Sequence, residues 1–99
     1  MRIINLISTL IKSNNAVIFS KSYCPFCLRA KESLKSINLD FKVVELDEHP
    51  DGSKIQSALF DLTNQRTVPN IFINSKHIGG SDSLSEIIRN NDIESYLKK

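Results

Sequence analysis

Ninety-nine residues, 40% apolar and 24% charged, are enough for one globular core and too few for two, so residues 1–99 are expected to form a single domain. A formal charge of +2, scattered along the chain, argues against a nucleic-acid partner. The apolar stretches are far shorter than a membrane span and Arg2–Ile11 lacks the cleavage region of a secretory signal, so no membrane partner and a cytoplasmic location are expected.

From Arg2 to Asn14, Ile3, Ile4, Leu6, Ile7, Leu10 and Ile11 recur at helical spacing, and the pattern predicts an amphipathic helix stopped by Asn14 and Asn15 in turn or left-handed conformations. Ala16–Phe19 is a continuous apolar run of the kind found in a strand covered on both faces. The polar stretch that follows leads into a second helix ending near Ser36–Asn38, with Leu34 and Ile37 inward. Asp40–Leu46, carrying Phe41, Val43, Val44 and Leu46, reads as the next strand. A strand, a crossover helix and a strand form a right-handed unit with parallel strands.

Asp47–Gly52 is a polar connection rich in turn formers, and Asp51 or Ser53 is expected to cap a helix bearing Ile55, Ala58, Leu59 and Leu62. Val68–Pro69 precedes the strand Asn70–Ile73, and Asn74–Ser75 separates it from Lys76–Ile78 as a tight antiparallel hairpin. Gly79–Gly80 breaks the second strand, and Ser81 or Asp82 is expected to cap a helix with Leu84, Ile87 and Ile88 inward. Asn90–Asn91 interrupt it before a short helical segment, Ile93–Leu97, and a frayed Lys98–Lys99 tail. The expected architecture is α/β: a four-stranded mixed sheet with helices on both faces.

The chemistry concentrates in Lys21–Ser22–Tyr23–Cys24–Pro25–Phe26–Cys27, which holds both cysteines. A disulfide across two intervening residues closes a tiny loop and stabilises little. As a metal site the pair is only half complete, and neither histidine follows at ligand spacing. A redox pair in a reducing compartment, beside a βαβ pattern, fits every neighbouring feature. Cys24 falls at or beside the helix N-cap, with Pro25 at the first helical position, where a missing N–H costs nothing. Free backbone N–H groups and the helix dipole there favour a thiolate, the form that attacks disulfides, and Lys21 is a candidate cationic neighbour. Cys27, further into the helix, is the natural resolving thiol. The glycine turn at Gly79–Gly80 offers the free N–H groups of Ser81 and Asp82 as an anion site.

Ser20–Cys27, Gln65–Ile73 and His77–Asp82 together resemble the glutaredoxin family over essentially the whole chain. A lone CxxC is weak, but CxxC followed about forty residues later by Thr67–Val68–Pro69 and then Gly79–Gly80–Ser81–Asp82 points to the dithiol class. The resemblance implies the thioredoxin fold, with Cys24 and Cys27 catalytic and no metal at the site. It implies no tightly bound cofactor, with glutathione as reducing co-substrate. Implied partners are glutathione, glutathionylated and disulfide-containing proteins and, indirectly, glutathione reductase; a monomer is expected. Pro69 is implied to be cis, with Val68 presenting its backbone to the cysteinyl part of glutathione in the manner of strand addition. Lys21, Gln65 and Arg66 are implied for the glycyl carboxylate, Tyr23 and Phe26 for contact with the tripeptide, Thr67 within the proline segment, and Gly80, Ser81 and Asp82 for the γ-glutamyl end.

Three positions depart from the family pattern. Phe26 stands where the dithiol class usually has Tyr, Ser81 where several relatives carry a further cysteine, and Ser83 where a second Asp is common. Three rival readings follow from the same residues. A thioredoxin is disfavoured by the absence of Trp and by Pro–Phe between the cysteines. A glutathione-ligated [2Fe–2S] module is disfavoured by Pro25 beside the nucleophile. A purely structural domain is disfavoured by the intact motifs.

Overall fold

A computed structural model describes residues 2–97, and the Lys98–Lys99 tail expected to fray lies outside the described residues. The elements are α1 (Ile3–Ser13), β1 (Ala16–Ser20), α2 (Pro25–Ser36), β2 (Lys42–Glu45), α3 (Gly52–Thr63), β3 (Asn70–Ile73), β4 (Lys76–Gly79), α4 (Ser81–Arg89) and α5 (Ile93–Leu97). The sheet order is β2-β1-β3-β4. The crossover through α2 makes β1 and β2 parallel, whereas β3 runs antiparallel to both β1 and β4. This four-stranded mixed sheet with flanking helices has the topology of the thioredoxin fold.

The sidedness of the molecule follows from the period of two along β1. Ala16 and Ile18 pack with Ala30, Leu34, Leu84 and Ile93 under α2, α4 and α5. Val17 and Phe19 point the other way, onto Ile7, Ile55, Leu59 and Phe72 beneath α1 and α3. Both sets are nearly free of solvent, and each buried aliphatic side chain contributes about 1.5–3 kcal/mol by leaving water. The Phe19 and Phe72 rings meet edge-on at 6.0 Å in the second layer.

Several ends differ from the sequence reading. Asn14 is extended (φ −128°, ψ 146°) instead of turned, and it ends α1 through its side chain, whose Nδ2 donates to the Leu10 carbonyl at 2.8 Å. The second strand is shorter than Asp40–Leu46, although the Leu46 N–H still donates to Ser20 O at 2.8 Å. Asp51 occupies the N-cap of α3 without a side-chain capping bond. Its own N–H donates to the His49 ring instead, at 3.0 Å. The N-cap of α4 is Gly80, not Ser81 or Asp82: Leu84 N–H donates to Gly80 O at 3.1 Å, which starts the helical ladder one residue earlier. Gly79 takes φ +114°, so its lack of a side chain is what lets the strand turn into the helix. The hairpin turn is as expected, with Asn74 and Ser75 both at positive φ (48° and 68°).

This topology delivers three chain segments to one end of the sheet. They are the link from β1 to α2, the segment before β3, and the start of α4.

Candidate active site

The link from β1 to α2 is a turn closed by the Cys24 N–H, which donates to Lys21 O at 3.1 Å. Cys24 is the N-cap of α2 in extended conformation (φ −92°, ψ 116°), with Pro25 beginning the helix. Its Sγ accepts the Cys27 N–H at 3.3 Å, the role a serine or aspartate oxygen plays at other helix starts. That donor and the aligned peptide dipoles of α2 point at the sulfur, as at helix starts that bind anions. Cys24 is half-buried, and both cysteines are free.

Cys27 sits one turn in and is fully buried. Burial pushes its thiol above the ordinary value of 9.0, and the adjacent Cys24 sulfur pushes the same way, against the Lys21 backbone and the Ser20 hydroxyl. Two sulfurs three residues apart therefore differ in exposure, one half-buried and the other fully enclosed.

Opposite Cys24 lies the Val68–Pro69 bond, which is cis, with Val68 O 3.9 Å from Cys24 Sγ. An open groove of about 300 Å³ runs from there, lined by Phe26, Thr67, Val68, Pro69, Gly80, Ser81, Asp82 and Ser83. Its far end is the N-terminus of α4, where the first N–H groups lack helical partners and face the cleft with Asp82 in the first turn. One wall thus offers a backbone edge and the other an anion-binding helix end with a carboxylate beside it.

The structure sorts the candidate residues. Cys24 faces Val68, and Thr67, Val68, Pro69, Gly80, Ser81 and Asp82 share the groove, joined by Phe26. Cys24, Cys27, Lys21, Tyr23, Gln65 and Arg66 are not among its lining residues. Tyr23 is 68% exposed. Gln65 turns inward, its Nε2 donating to Thr67 O at 3.0 Å and Pro69 O at 2.9 Å, and so braces the groove wall. Arg66 lays its guanidinium over the Phe60 ring at 3.9 Å, on the α3 side. Ser83 lines the groove as well, which the sequence reading treated only as a departure from pattern. Asp47 was missed entirely: its carboxylate accepts the Ser22 N–H at 2.9 Å and the Ser22 hydroxyl. No sequence signal pointed to it, because Ser22 lies 25 residues away in the chain.

A thioredoxin-type sheet with a reduced CxxC pair at a helix start, facing an X-Pro segment, defines a dithiol thiol–disulfide oxidoreductase. The glutaredoxin family model matches residues 16–78. The chain is 53% identical over 78 residues to glutaredoxin-C2 of Arabidopsis thaliana, covering 79% of this chain and 70% of that protein. It is 57% identical over 74 residues to a glutaredoxin of Ricinus communis, covering 75% and 72%. Among solved structures, the buckwheat glutaredoxin–glutathione complex superposes with a TM-score of 0.92 at 42% identity, over 96% of this chain and 86% of that one. The holo form of glutaredoxin C1 from Populus tremula x tremuloides gives 0.90 at 43%, over 96% and 94%. The chain belongs to the glutaredoxin family. Its activity is that of the dithiol members, glutathione-dependent thiol–disulfide oxidoreduction with glutathione as co-substrate. Among the described residues no helix is long and apolar enough to cross a membrane, and no group of three or more His, Cys, Asp or Glu could hold a metal ion.

Proposed function

We propose that Cys24 is the nucleophile and that the groove from Val68 to Asp82 holds glutathione. The Cys24 thiolate attacks the glutathione sulfur of a protein–glutathione mixed disulfide, forming Cys24–S–S–glutathione and expelling the protein thiolate, which takes up a proton. The thiolate of a second glutathione attacks the glutathione sulfur of that intermediate, releasing oxidised glutathione and restoring the Cys24 thiolate. Where a protein disulfide is the substrate, the Cys24 thiolate attacks one of its sulfurs, forming a mixed disulfide and expelling the first substrate thiolate; Cys27 then loses its proton and attacks Cys24 Sγ, expelling the second and leaving an internal disulfide for two glutathiones to reduce.

The observation that carries this reading is the coincidence at one cleft of the Cys24 sulfur, the Val68 backbone and the α4 N-terminus. The glutathione cysteinyl backbone pairs with Val68 as an added strand. Its γ-glutamyl carboxylate meets the first N–H groups of α4, and Asp82 answers the ammonium group. Thr67 and Pro69 shape the strand edge, Gly80 and Ser81 the helix end, and Gln65 braces the wall. Tyr23 and Lys21 act from the nucleophile's turn, Lys21 as the cation nearest in sequence for the glycyl carboxylate. A reducing compartment such as the cytoplasm, where glutathione reductase regenerates the reductant, fits a glutathione-dependent cycle.

The test is substrate-dependent. Cys27→Ser is expected to keep deglutathionylation within about threefold of the parent while losing reduction of protein disulfides. Cys24→Ser is expected to lose both. Deglutathionylation that collapses in Cys27→Ser contradicts the proposed route.

A further inference from the structure

Asp47 stands two residues beyond the end of β2 and touches neither sulfur. Its carboxylate accepts from Ser22 twice, through the backbone N–H at 2.9 Å and through the hydroxyl on the second oxygen. Ser22 is the second residue of the Lys21–Cys24 turn, which the Cys24 N–H closes on Lys21 O. That turn fixes the N-cap conformation through which Cys24 Sγ receives the Cys27 N–H.

Asp47 is itself firmly seated. Leu46 N–H donates to Ser20 O at 2.8 Å, and Glu48 N–H to Glu45 O at 3.1 Å. Gly52 packs so closely on this segment that an added Cβ would lie 1.8 Å from Leu46 O. The two Ser22 bonds, the hydroxyl first, hold the Asp47 carboxyl below its ordinary value of 3.8, with Lys21 adding a smaller pull. The acceptor is therefore charged throughout the neutral range, which strengthens both bonds.

We infer that Asp47 is a positioning residue for the nucleophile, gripping Ser22 at two atoms to hold the turn that sets Cys24 at the helix start. The inference rests on the proposal that Cys24 is the nucleophile. It has a sign that separates it from a plain charge effect. A carboxylate near Lys21 and Cys24 disfavours a thiolate through space, so neutralising it acts in favour of the thiolate if charge alone matters. If the grip matters, removing it frees the turn, misaligns the Cys27 N–H and slows the sulfur.

The experiment measures alkylation of Cys24 by iodoacetamide against pH, in the Cys27→Ser background, with kcat and KM for a glutathionylated peptide alongside. Asp47→Ala is expected to slow alkylation at neutral pH by roughly three- to tenfold and to move the profile towards alkali, as loss of preorganisation does. Asp47→Asn, which keeps one oxygen acceptor, is expected to recover part of the rate. Ser22→Ala removes only the hydroxyl arm and is expected to lose less. The double variant Asp47→Ala with Ser22→Ala is expected to be no worse than Asp47→Ala alone, because the two residues act as one unit. Alkylation in Asp47→Ala equal to or faster than the parent overturns the inference. If Asp47→Ala does not fold, Ser22→Ala at an exposed site decides, and an unchanged profile there overturns it. Activity retained by Cys24→Ser would instead sink the assignment of the nucleophile, whatever Asp47 does.

Discussion

Cys24 and Cys27 share one turn of α2 but occupy different physical environments. Cys24 caps the helix where it is half-exposed, accepts an N–H and lies 3.9 Å from the carbonyl of Val68, a residue of the groove wall. Cys27 lies beneath it on the same face as Ala30 and Leu34, fully buried, where losing a proton is opposed by burial. The difference comes from position alone: one residue sits before the first helical turn and the other completes it. A helix start placed at one end of the sheet thus leaves one thiol half-exposed and the other enclosed. In the proposed mechanism, Cys27 acts as the resolving thiol once the Cys24 sulfur has become a disulfide.

The comparison breaks most visibly by exchanging the cysteines one at a time. Cys24→Ser is expected to lower turnover on the order of a thousandfold or more, against the small change for Cys27→Ser on glutathionylated substrates. The next largest effect sharpens it from below. Leu34→Ala hollows the core layer beneath α2, the helix that carries Cys27, and is expected to cost about 2–5 kcal/mol of unfolding free energy by denaturant titration. Alkylation of Cys27 in a Cys24→Ser background should accelerate as opening becomes easier, with Cys24 in its own background unchanged.

A smaller effect is linked to pH. The folded state holds the Cys27 proton more tightly than the unfolded chain, so this contribution to stability is complete below the ordinary value of 9.0. It is lost as pH rises from there through the raised folded value. Denaturant midpoints of the reduced protein should fall more steeply above that pH than those of Cys27→Ser. The smallest effect lies on the other face of the sheet and serves as a control. Burial lowers the His77 pKa below its ordinary value of 6.5, its Nε2 sitting 2.8 Å from Asn70 Oδ1 and its ring tilted against Phe72 at 5.1 Å. Its contribution is present above 6.5 and lost as pH falls through the lowered value. His77→Gln should reduce the acid loss of stability, measured by thermal denaturation, and leave the reactivity ratio of the two cysteines unchanged.

Much of the fold was legible because its signals are local. The run at Ala16–Phe19, the Asn74–Ser75 turn, and Cys24–Pro25 at a helix start each carry their own geometry in a few residues. The helix ends were read less well, because competing partners decided them: Leu10 O drew the Asn14 amide into an extended cap, and Gly80 took the capping position from Ser81 and Asp82. Within the site, the groove residues cluster in two short motifs, and a resemblance found them. The orientations of Gln65 and Arg66 depend on Pro69 O and the Phe60 ring, contacts set by how α3 meets β3. Asp47 was invisible because its partner lies 25 residues away and only the pairing of β1 with β2 brings them together.

The most direct test of the inequality between the cysteines is to see which sulfur takes the glutathione. Cys27→Ser and Cys24→Ser proteins are each mixed with a glutathionylated peptide in the absence of free glutathione, quenched in acid, and mapped by mass spectrometry of their fragments. Rapid appearance of glutathione on Cys24 of the first protein, with little or none on Cys27 of the second on the same timescale, is the predicted result. Transfer to Cys27 as fast as to Cys24 would contradict it.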